Sequence, residues 1–239
     1  MSEALHLRLA APADLDAIMA IKLRLRMRQD PGESAQSSRG GFLLGASRAQ
    51  YAGLIAGGHT WVLGDDQAVV GFATGLSDAE LRASELWQRR GELGLGDELR
   101  ALETLPIGYL DQLALLPDPK YMVAGVVLAY HALAGLFAAG CAFVVTTVVD
   151  RPVRNLASRP LLAAVGALRL GSIAEHHEEV GAITSDVFMV PRAALDPAAQ
   201  AEPRVQGQLL RLEALASKLR GSRCDRGGEA APTVINSGQ

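Results

Sequence analysis

Hydrophobic and polar positions alternate at the start of the chain, where Leu5, Leu7 and Leu9 flank two polar residues and predict a half-buried strand. Apolar residues then recur at helical spacing as far as Leu23. The same two periodicities divide the chain further on. Strands are predicted at 59–63, 68–75, 107–116, 142–149, 169–175 and 184–190, and helices at 50–56, 124–139 and 156–165. This pattern predicts a mixed α/β domain.

The most apolar segment, residues 121–149, has no acidic or basic residue other than His131. Its length exceeds the roughly 20 apolar residues that cross a bilayer. However, Gly140 separates an Ala- and Leu-rich half, which favours a helix, from a β-branched half, which favours a strand. No Lys/Arg cluster lies on one flank, as a membrane span would favour. We therefore predict a core helix followed by a buried strand, and no membrane association.

Composition narrows the class of protein. The 239 residues are 49% hydrophobic, which is enough for a sizeable core. A formal net charge of −3 does not indicate a nucleic-acid surface. One local basic cluster, Lys22, Arg24, Arg26 and Arg28, is interpreted as the solvated face of a helix. We expect no nucleic-acid partner.

Cysteine usage and the first residues bear on the compartment. Cys141 and Cys224 are too far apart in sequence to suggest a disulfide framework or a metal site, so no metal is expected. The first residues lack a basic region followed by an apolar one, which predicts a cytoplasmic protein.

Shifts in composition predict the organisation of the chain. One domain is expected over 1–192, with a charged helical insertion at 77–105 and a Gly- and Ser-rich loop at 30–47. A linker and an amphipathic helix are expected within 193–221, and a disordered tail over 222–239.

The stretch 109–128, YLDQLALLPDPKYMVAGVVL, carries the main chemical signal. A predicted strand ends in a Pro-bounded turn that leads directly into a helix, so that free N–H groups converge at the helix N-terminus. Such a position favours a phosphate or pyrophosphate. An ordinary β-turn-α connection is the alternative.

This stretch resembles motif A of the GNAT superfamily of N-acetyltransferases, in which L-A-V-x-P-[DE] precedes a [QR]-x-x-G-x-[GA] loop for the pyrophosphate of coenzyme A. Here the strand end is Leu113 to Asp118, and the loop is Lys120 to Gly125. Lys120 replaces the usual Gln or Arg, Val123 replaces the first Gly, and Gly125 retains the second.

A second segment supports the resemblance. The family's N-x-x-A-x-x-x-Y-x-x-x-G-F pattern aligns with NLASRPLLAAVGA, in which Asn155 and Gly166 match and Leu162 stands where the family has Tyr. Residues 185–189 resemble the last strand of the family. The similarity extends from about Leu5 to Arg192.

The resemblance implies a single mixed, mostly antiparallel twisted sheet flanked by helices. It also implies that the strand at 109–116 separates from the strand at 142–149, and that the pantetheine arm of an acyl-CoA lies in the gap. The residues implied to bind this cosubstrate are Leu113, Ala114, Leu115, Lys120, Tyr121, Met122, Val123, Ala124, Gly125, Val126 and Asn155.

Acyl transfer to an amine requires a base for the amine and a proton for the departing thiolate. Family members often use a Glu or Asp as the base, and Asp111, on the strand leading to the loop, is the corresponding candidate. Because Leu162 cannot donate a proton, Tyr109, Tyr121 and Tyr130 are considered as substitutes.

The expected function is therefore an acyl-CoA-dependent N-acyltransferase that moves acetyl from acetyl-CoA to an amine without a metal, and a homodimer is a candidate assembly. A non-catalytic acyl-CoA binder is one alternative. A long-chain acyltransferase of the acyl-amino-acid or acyl-homoserine-lactone synthase type is another. The loops at 30–47 and 176–183 and the insertion at 77–105 are expected to frame the acceptor.

Overall fold

The computed structural model describes residues 5–25, 36–37, 46–65, 67–88, 103–177 and 181–195. Its first half contains β1 (His6–Leu9), a 3₁₀ turn (Pro12–Asp14), α1 (Leu15–Arg24), β2 (Gln36–Ser37), α2 (Arg48–Ala56), β3 (Thr60–Gly64), β4 (Val69–Leu76), α3 (Asp78–Ala83) and α4 (Glu85–Gln88). The second half contains β5 (Ile107–Leu115), a 3₁₀ turn (Pro119–Tyr121), α5 (Met122–Ala138), β6 (Phe143–Arg151), β7 (Arg154–Asn155), α6 (Ser158–Ala164), β8 (Leu168–His177), β9 (Gly181–Pro191) and a final 3₁₀ turn (Arg192–Ala194).

Seven strands form one sheet in the order β1-β3-β4-β5-β6-β9-β8. The central pair, β5 and β6, is parallel, and the other neighbours in this sheet are antiparallel. The short strands β2 and β7 pair in parallel in a second sheet. The predicted mixed, mostly antiparallel sheet is confirmed.

The apolar run at 121–149 divides as predicted. It forms α5 and β6, and between them Gly140 has a φ of +94°, a conformation that glycine adopts without steric cost. Within the described parts of the chain, the structure contains no helix with the length and hydropathy of a membrane span.

Helices cover both faces of the sheet. Leu63 and Leu110 pack with α5, whereas Val62, Phe72 and Ala114 pack with α1 and α2. Because successive side chains of a strand point to opposite faces, α5 lies on one face and α1 and α2 lie on the other. We call these the α5 face and the α1–α2 face.

The burial of Lys22 shows that the interpretation of the whole basic cluster as a solvated helix face was wrong for this residue. Its side chain is 5% exposed, its ammonium donates to the carbonyl oxygen of Ala46, and it lies 4.9 Å from the centre of the Tyr51 ring. Contact with the ring and the hydrogen bond compensate the buried charge. The pattern of charges in the sequence did not show that α2 would fold over this residue.

The end of the sheet also differs from prediction. The loop expected at 176–183 is mostly strand, since His176 pairs with Ala182 and His177 pairs with Gly181. Backbone pairing extends the β8–β9 hairpin beyond the point where the apolar alternation ends.

The predicted insertion begins as helix, in α3 and α4. Ser77 and Glu80 form a capping box at the start of α3, and Arg82 pairs with Asp78 at 2.9 Å. Residues 89–102, most of the loop at 30–47, and the linker, helix and tail beyond Leu195 lie outside the described residues.

Candidate active site

Asp111 occupies a β-bulge in the middle of the sheet. Thr74 of β4 pairs with Gln112 and the next residue, Gly75, pairs with Leu110, so that the backbone of Asp111 has no pairing partner on β4. A bulge bends the strand and redirects the side chain of the extra residue.

The two central strands part beside this bulge. β5 pairs with β6 only from Ile107 to Tyr109. Just beyond the last pair, the Thr146 hydroxyl of β6 donates to the carbonyl oxygen of Leu110 at 2.8 Å. Farther along, the edge of β5 that faces β6 has no strand partner among the described residues. The predicted separation of these strands is confirmed.

A cavity of about 730 Å³ lies where the strands separate. Its lining comes from both strands and from the helices and strands around them. It includes Gln50, Glu80, Glu85, Tyr109, Leu110, Asp111, Gln112, Leu113, Thr146, Thr147, Val148, Val149, Asn155, Ser158, Leu161, Leu162, Glu175 and Ser185. The cavity thus reaches from α3 and α4 to α6.

Asp111 is one of the residues that line this cavity. Burial raises its pKa from 3.8 to about 6, and the positive charge of Lys22 opposes the rise. A carboxyl with this pKa is ionised at neutral pH and still able to take a proton, which suits a general base.

Tyr109 lines the cavity at the last residue pair between β5 and β6. Its hydroxyl shares a hydrogen bond of 3.1 Å with the Thr147 hydroxyl across the parting strands. Burial raises the pKa of Tyr109 far above its usual value, and the charges of Asp111 and Glu175 add to the rise. The phenol therefore stays protonated and is available as a hydrogen-bond donor.

A side-chain hydrogen bond connects the bulge to α2. The Tyr51 hydroxyl donates to Oε1 of Gln112, and the Tyr51 ring packs edge-on against Phe72 at 5.9 Å. The residue next to Asp111 is thereby held against the α1–α2 face.

The turn after β5 leads into α5 as the sequence predicted. The Tyr121 amide donates to the carbonyl oxygen of Asp118 at 3.0 Å, and its buried hydroxyl donates to Oδ2 of Asp65 at 3.0 Å. Tyr121, the N-cap residue of α5, makes no side-chain cap hydrogen bond. The side chain of this residue therefore leaves the first N–H groups of the helix unused.

No protein-family model and no curated protein match the chain. Several solved structures, however, are similar to the chain. The protein yncA from Salmonella typhimurium, determined with its cofactor acetyl-CoA, has a TM-score of 0.53 at 13% identity, covering 81% of this chain and 95% of that one. The chain has the GNAT fold.

Two further structures agree. Naa50 from Arabidopsis thaliana, determined with a bisubstrate analogue, has a TM-score of 0.53 at 13% identity over 77% of this chain and 97% of that one. The NatC complex bound to Gag peptide and CoA has a TM-score of 0.52 at 12% identity over 78% of this chain and 98% of that one. At such identities the likeness establishes the fold alone.

Within this GNAT fold, the residues predicted to bind the cosubstrate fall into separate places. Leu113 and Asn155 line the cavity with Asp111. Ala114 is buried against α1 and α2, on the other face from Leu113. Its side chain therefore does not point into the same environment as that of Leu113.

The remaining predicted residues surround the start of α5. Leu115 lies against Gly125, where an added Cβ would be 3.4 Å from the leucine. Ala124 is buried, whereas Val123 and Val126 are exposed. The side chains of Lys120 and Met122 are not described. Tyr121 is anchored to Asp65, and its own amide is already bonded to Asp118.

Sequence reasoning missed several residues of the GNAT-fold cavity, namely Thr146, Thr147, Glu175 and Ser185. The two threonines are the only polar residues in the run AFVVTTVV. A polar pair inside an otherwise buried strand signals a site that interrupts the core. Glu175 and Ser185 carry no comparable signal in the sequence.

Proposed function

We propose that the protein is an acyl-CoA-dependent N-acyltransferase that transfers acetyl from acetyl-CoA to an amine. The observation that carries this proposal is the position of Asp111. It is the extra residue of a bulge, beside the point where β5 and β6 separate, and it lines the cavity.

The cosubstrate is proposed from the combination of an open strand edge and a helix start. The unpaired edge of β5 offers backbone donors and acceptors to the amide groups of a pantetheine arm. The uncapped N-terminus of α5 follows directly and favours the negative charge of a pyrophosphate. Two of the similar structures, yncA and the NatC complex, hold acetyl-CoA or CoA, which supports this choice.

The residues of the cavity suit direct transfer. Asp111 takes a proton from the attacking amine, whose nitrogen forms the new bond to the thioester carbonyl carbon. The C–S bond breaks, and the departing thiolate takes up a proton. Tyr109 is the tyrosine that lines the cavity, since Tyr121 is bonded to Asp65 and Tyr130 is 45% exposed on α5. We assign it as the proton donor in place of Leu162.

Two measurements test the proposal. Calorimetry with acetyl-CoA should show binding in the micromolar range, and the absence of binding up to millimolar ligand would refute it. Thiol release from acetyl-CoA, followed over a panel of amines, then tests transfer. Acetylated product must appear at the rate at which free thiol appears.

A second candidate is a protein that binds acyl-CoA without turnover. Leu162 favours it, because this buried side chain lines the cavity and packs with Val148 and Phe188. Binding of acetyl-CoA without acyl transfer to any amine, together with an unchanged affinity in Asp111→Asn, would support this candidate over the enzyme.

A further inference from the structure

The cavity has two sides with different chemistry. On the α5 face, Leu110 packs with α5, and Val148 packs with Leu162. On the α1–α2 face, Ile173 and Val187 pack with Leu81 of α3. Because alternate residues of a strand share a face, Glu175 lies on the same side as Ile173, and Ser185 on the same side as Val187.

The carboxylates of the cavity are collected on this second side. Glu80 and Glu85 come from α3 and α4, and Glu175 comes from β8. Asp111 lies close to the same side, since the neighbouring Gln112 bonds to Tyr51 of α2 and the charge of Asp111 acts on both Tyr51 and Tyr109. None of the described lining residues is Lys, Arg or His.

These carboxylates differ in the hydrogen bonds and ion pairs that they make within the protein. Glu80 accepts from the amide and hydroxyl of Ser77 and lies 3.6 Å from His59. The carboxylates of Glu85 and Glu175 make no hydrogen bond or ion pair with the described residues. Two negative groups of the cavity thus remain available to a ligand.

A buried hydroxyl points to a ligand independently of the charges. Ser185 is 1% exposed and lines the cavity. It pairs through its backbone with Val149 on one side and Ile173 on the other, yet its hydroxyl bonds to none of the described residues. An ammonium N–H on this side of the cavity would have both a hydroxyl and carboxylates as acceptors.

We infer that the acceptor is a small aliphatic diamine or polyamine, held by Glu175 and Glu85 at one cationic end and presented to Asp111 at the other. This inference rests on the proposed function, because it names the amine that the site acetylates. The asymmetry of the cavity is the reason. The apolar side of the cavity suits an uncharged pantetheine arm, whereas its acidic side favours cations and disfavours carboxylates.

The test uses three acceptors of equal length that differ only at the far end. These are 1,4-diaminobutane, 1-aminobutane and 4-aminobutanoate, with diamines of three, five and six carbons to find the best length. With acetyl-CoA and the full-length protein, kcat/KM should be at least tenfold higher for the best diamine than for the matching monoamine. The amino acid should be acetylated least. Equal rates, or a preference for the monoamine or the amino acid, would overturn the inference.

Glu175→Gln and Asp16→Asn form a matched pair of variants, since each removes one negative charge. Asp16 lies on the surface with an 82% exposed side chain and pairs with Arg48, away from the cavity. Glu175→Gln should lower the preference for the diamine over the monoamine at least fivefold, and Asp16→Asn should not change it. Equal preference in both variants would refute the role of Glu175.

Calorimetry with the diamine alone separates the inference from the proposed function. If the diamine binds through Glu175 but acetyl-CoA does not bind, the cationic site stands and the acyltransferase proposal falls. If acetyl-CoA binds and the monoamine or amino acid is acetylated better, the acyltransferase stands and this inference falls. Failure of the diamine both to bind and to be acetylated overturns the inference in every case.

Discussion

The hydroxyl of Thr146 on β6 donates to the carbonyl oxygen of Leu110 on β5 at 2.8 Å, one residue beyond the last pair of these two parallel strands. Leu110 is also the residue next to the bulge. A single side-chain hydrogen bond therefore joins β5 and β6 at the point where they begin to separate. It satisfies a carbonyl oxygen that no longer pairs with the backbone of β6.

Removing this hydrogen bond should weaken the contact between β5 and β6 at the point where they separate. Thr146→Val keeps the shape of the side chain but leaves the buried carbonyl oxygen unpaired, at a cost of about 1–2 kcal/mol. Urea unfolding should show that loss, and the KM for acetyl-CoA should rise. Thr184→Val, in a partly buried threonine of β9 outside the cavity, is the control. Equal effects of the two changes would contradict the assignment.

Asp111→Asn should lower kcat about 10²-fold or more if the carboxylate takes the proton of the amine. In the wild type, kcat/KM should fall as the pH drops below about 6, because protonated Asp111 is no longer a base. The variant should lack that limb of the pH profile. An identical profile in the variant would exclude Asp111 as the base.

The same substitution should stabilise the fold at neutral pH. The folded-state pKa of Asp111 lies above that of the unfolded chain, so its ionisation opposes folding once the pH rises through about 6. At about 1.4 kcal/mol per pKa unit, removal of the charge should add roughly 1–3 kcal/mol at pH 7.5 and nothing near pH 4. Thermal unfolding at both pH values measures the difference, and a loss of stability at pH 7.5 would contradict it.

Tyr109→Phe tests the proton donor. The ring keeps its place among Ile107, Phe143 and Ile173 while the hydroxyl is lost. We expect kcat to fall about 10²-fold with little change in KM, since the thiolate would then take its proton from water. Tyr130→Phe, on the exposed side of α5, should leave kcat unchanged. A normal kcat in Tyr109→Phe would assign the proton to another group.

A charge at the start of α5 should weaken acetyl-CoA binding. Val123 is 78% exposed, so Val123→Glu adds a negative charge at the helix N-terminus without crowding the core. Repulsion of the pyrophosphate should reduce affinity about tenfold at low salt. Val127→Glu adds the same charge one turn later, at a 44% exposed position, and should have a smaller effect in calorimetry. The opposite order would mean that the phosphates bind elsewhere.

Asp186 should stabilise the β8–β9 end of the sheet. Its buried carboxylate accepts from Arg169 at 2.6 Å and from Arg159 at 2.7 Å. Burial opposes the charge, but these two arginines lower the pKa of Asp186 below its usual value. Asp186→Asn should cost about 3 kcal/mol at neutral pH, because Arg169 loses its carboxylate and Arg159 keeps only that of Asp150, at 2.9 Å.

The pH dependence provides the check on Asp186. A carboxyl whose pKa is lowered by folding stabilises the fold above its unfolded pKa and loses that effect as the pH falls through the folded value. Denaturant unfolding should therefore show a wild-type advantage at pH 7 that shrinks as the pH falls below 3.8, the ordinary pKa of an aspartate. A constant difference across this range would contradict the ion-pair explanation.

How far the sequence determined the structure is clearest at 121–149. A change from Ala and Leu to β-branched residues, with Gly140 between them, was enough to predict α5 and β6, because helix and strand preferences are local. The strand-turn-helix at 109–128 was likewise visible, and with it the position of Asp111 on β5. Local pattern also predicted the β3–β4 hairpin and the helix that became α6.

Only the tertiary structure decided what surrounds Asp111. The bulge depends on the register between β4 and β5, and the burial of Lys22 depends on where α2 packs. Glu175 reaches the cavity from the edge strand β8, and Ser185 from the neighbouring strand β9, through pairings that no local pattern specifies. A site built from residues far apart in the chain is fixed by strand order and register, and these are set by the packing of the whole domain.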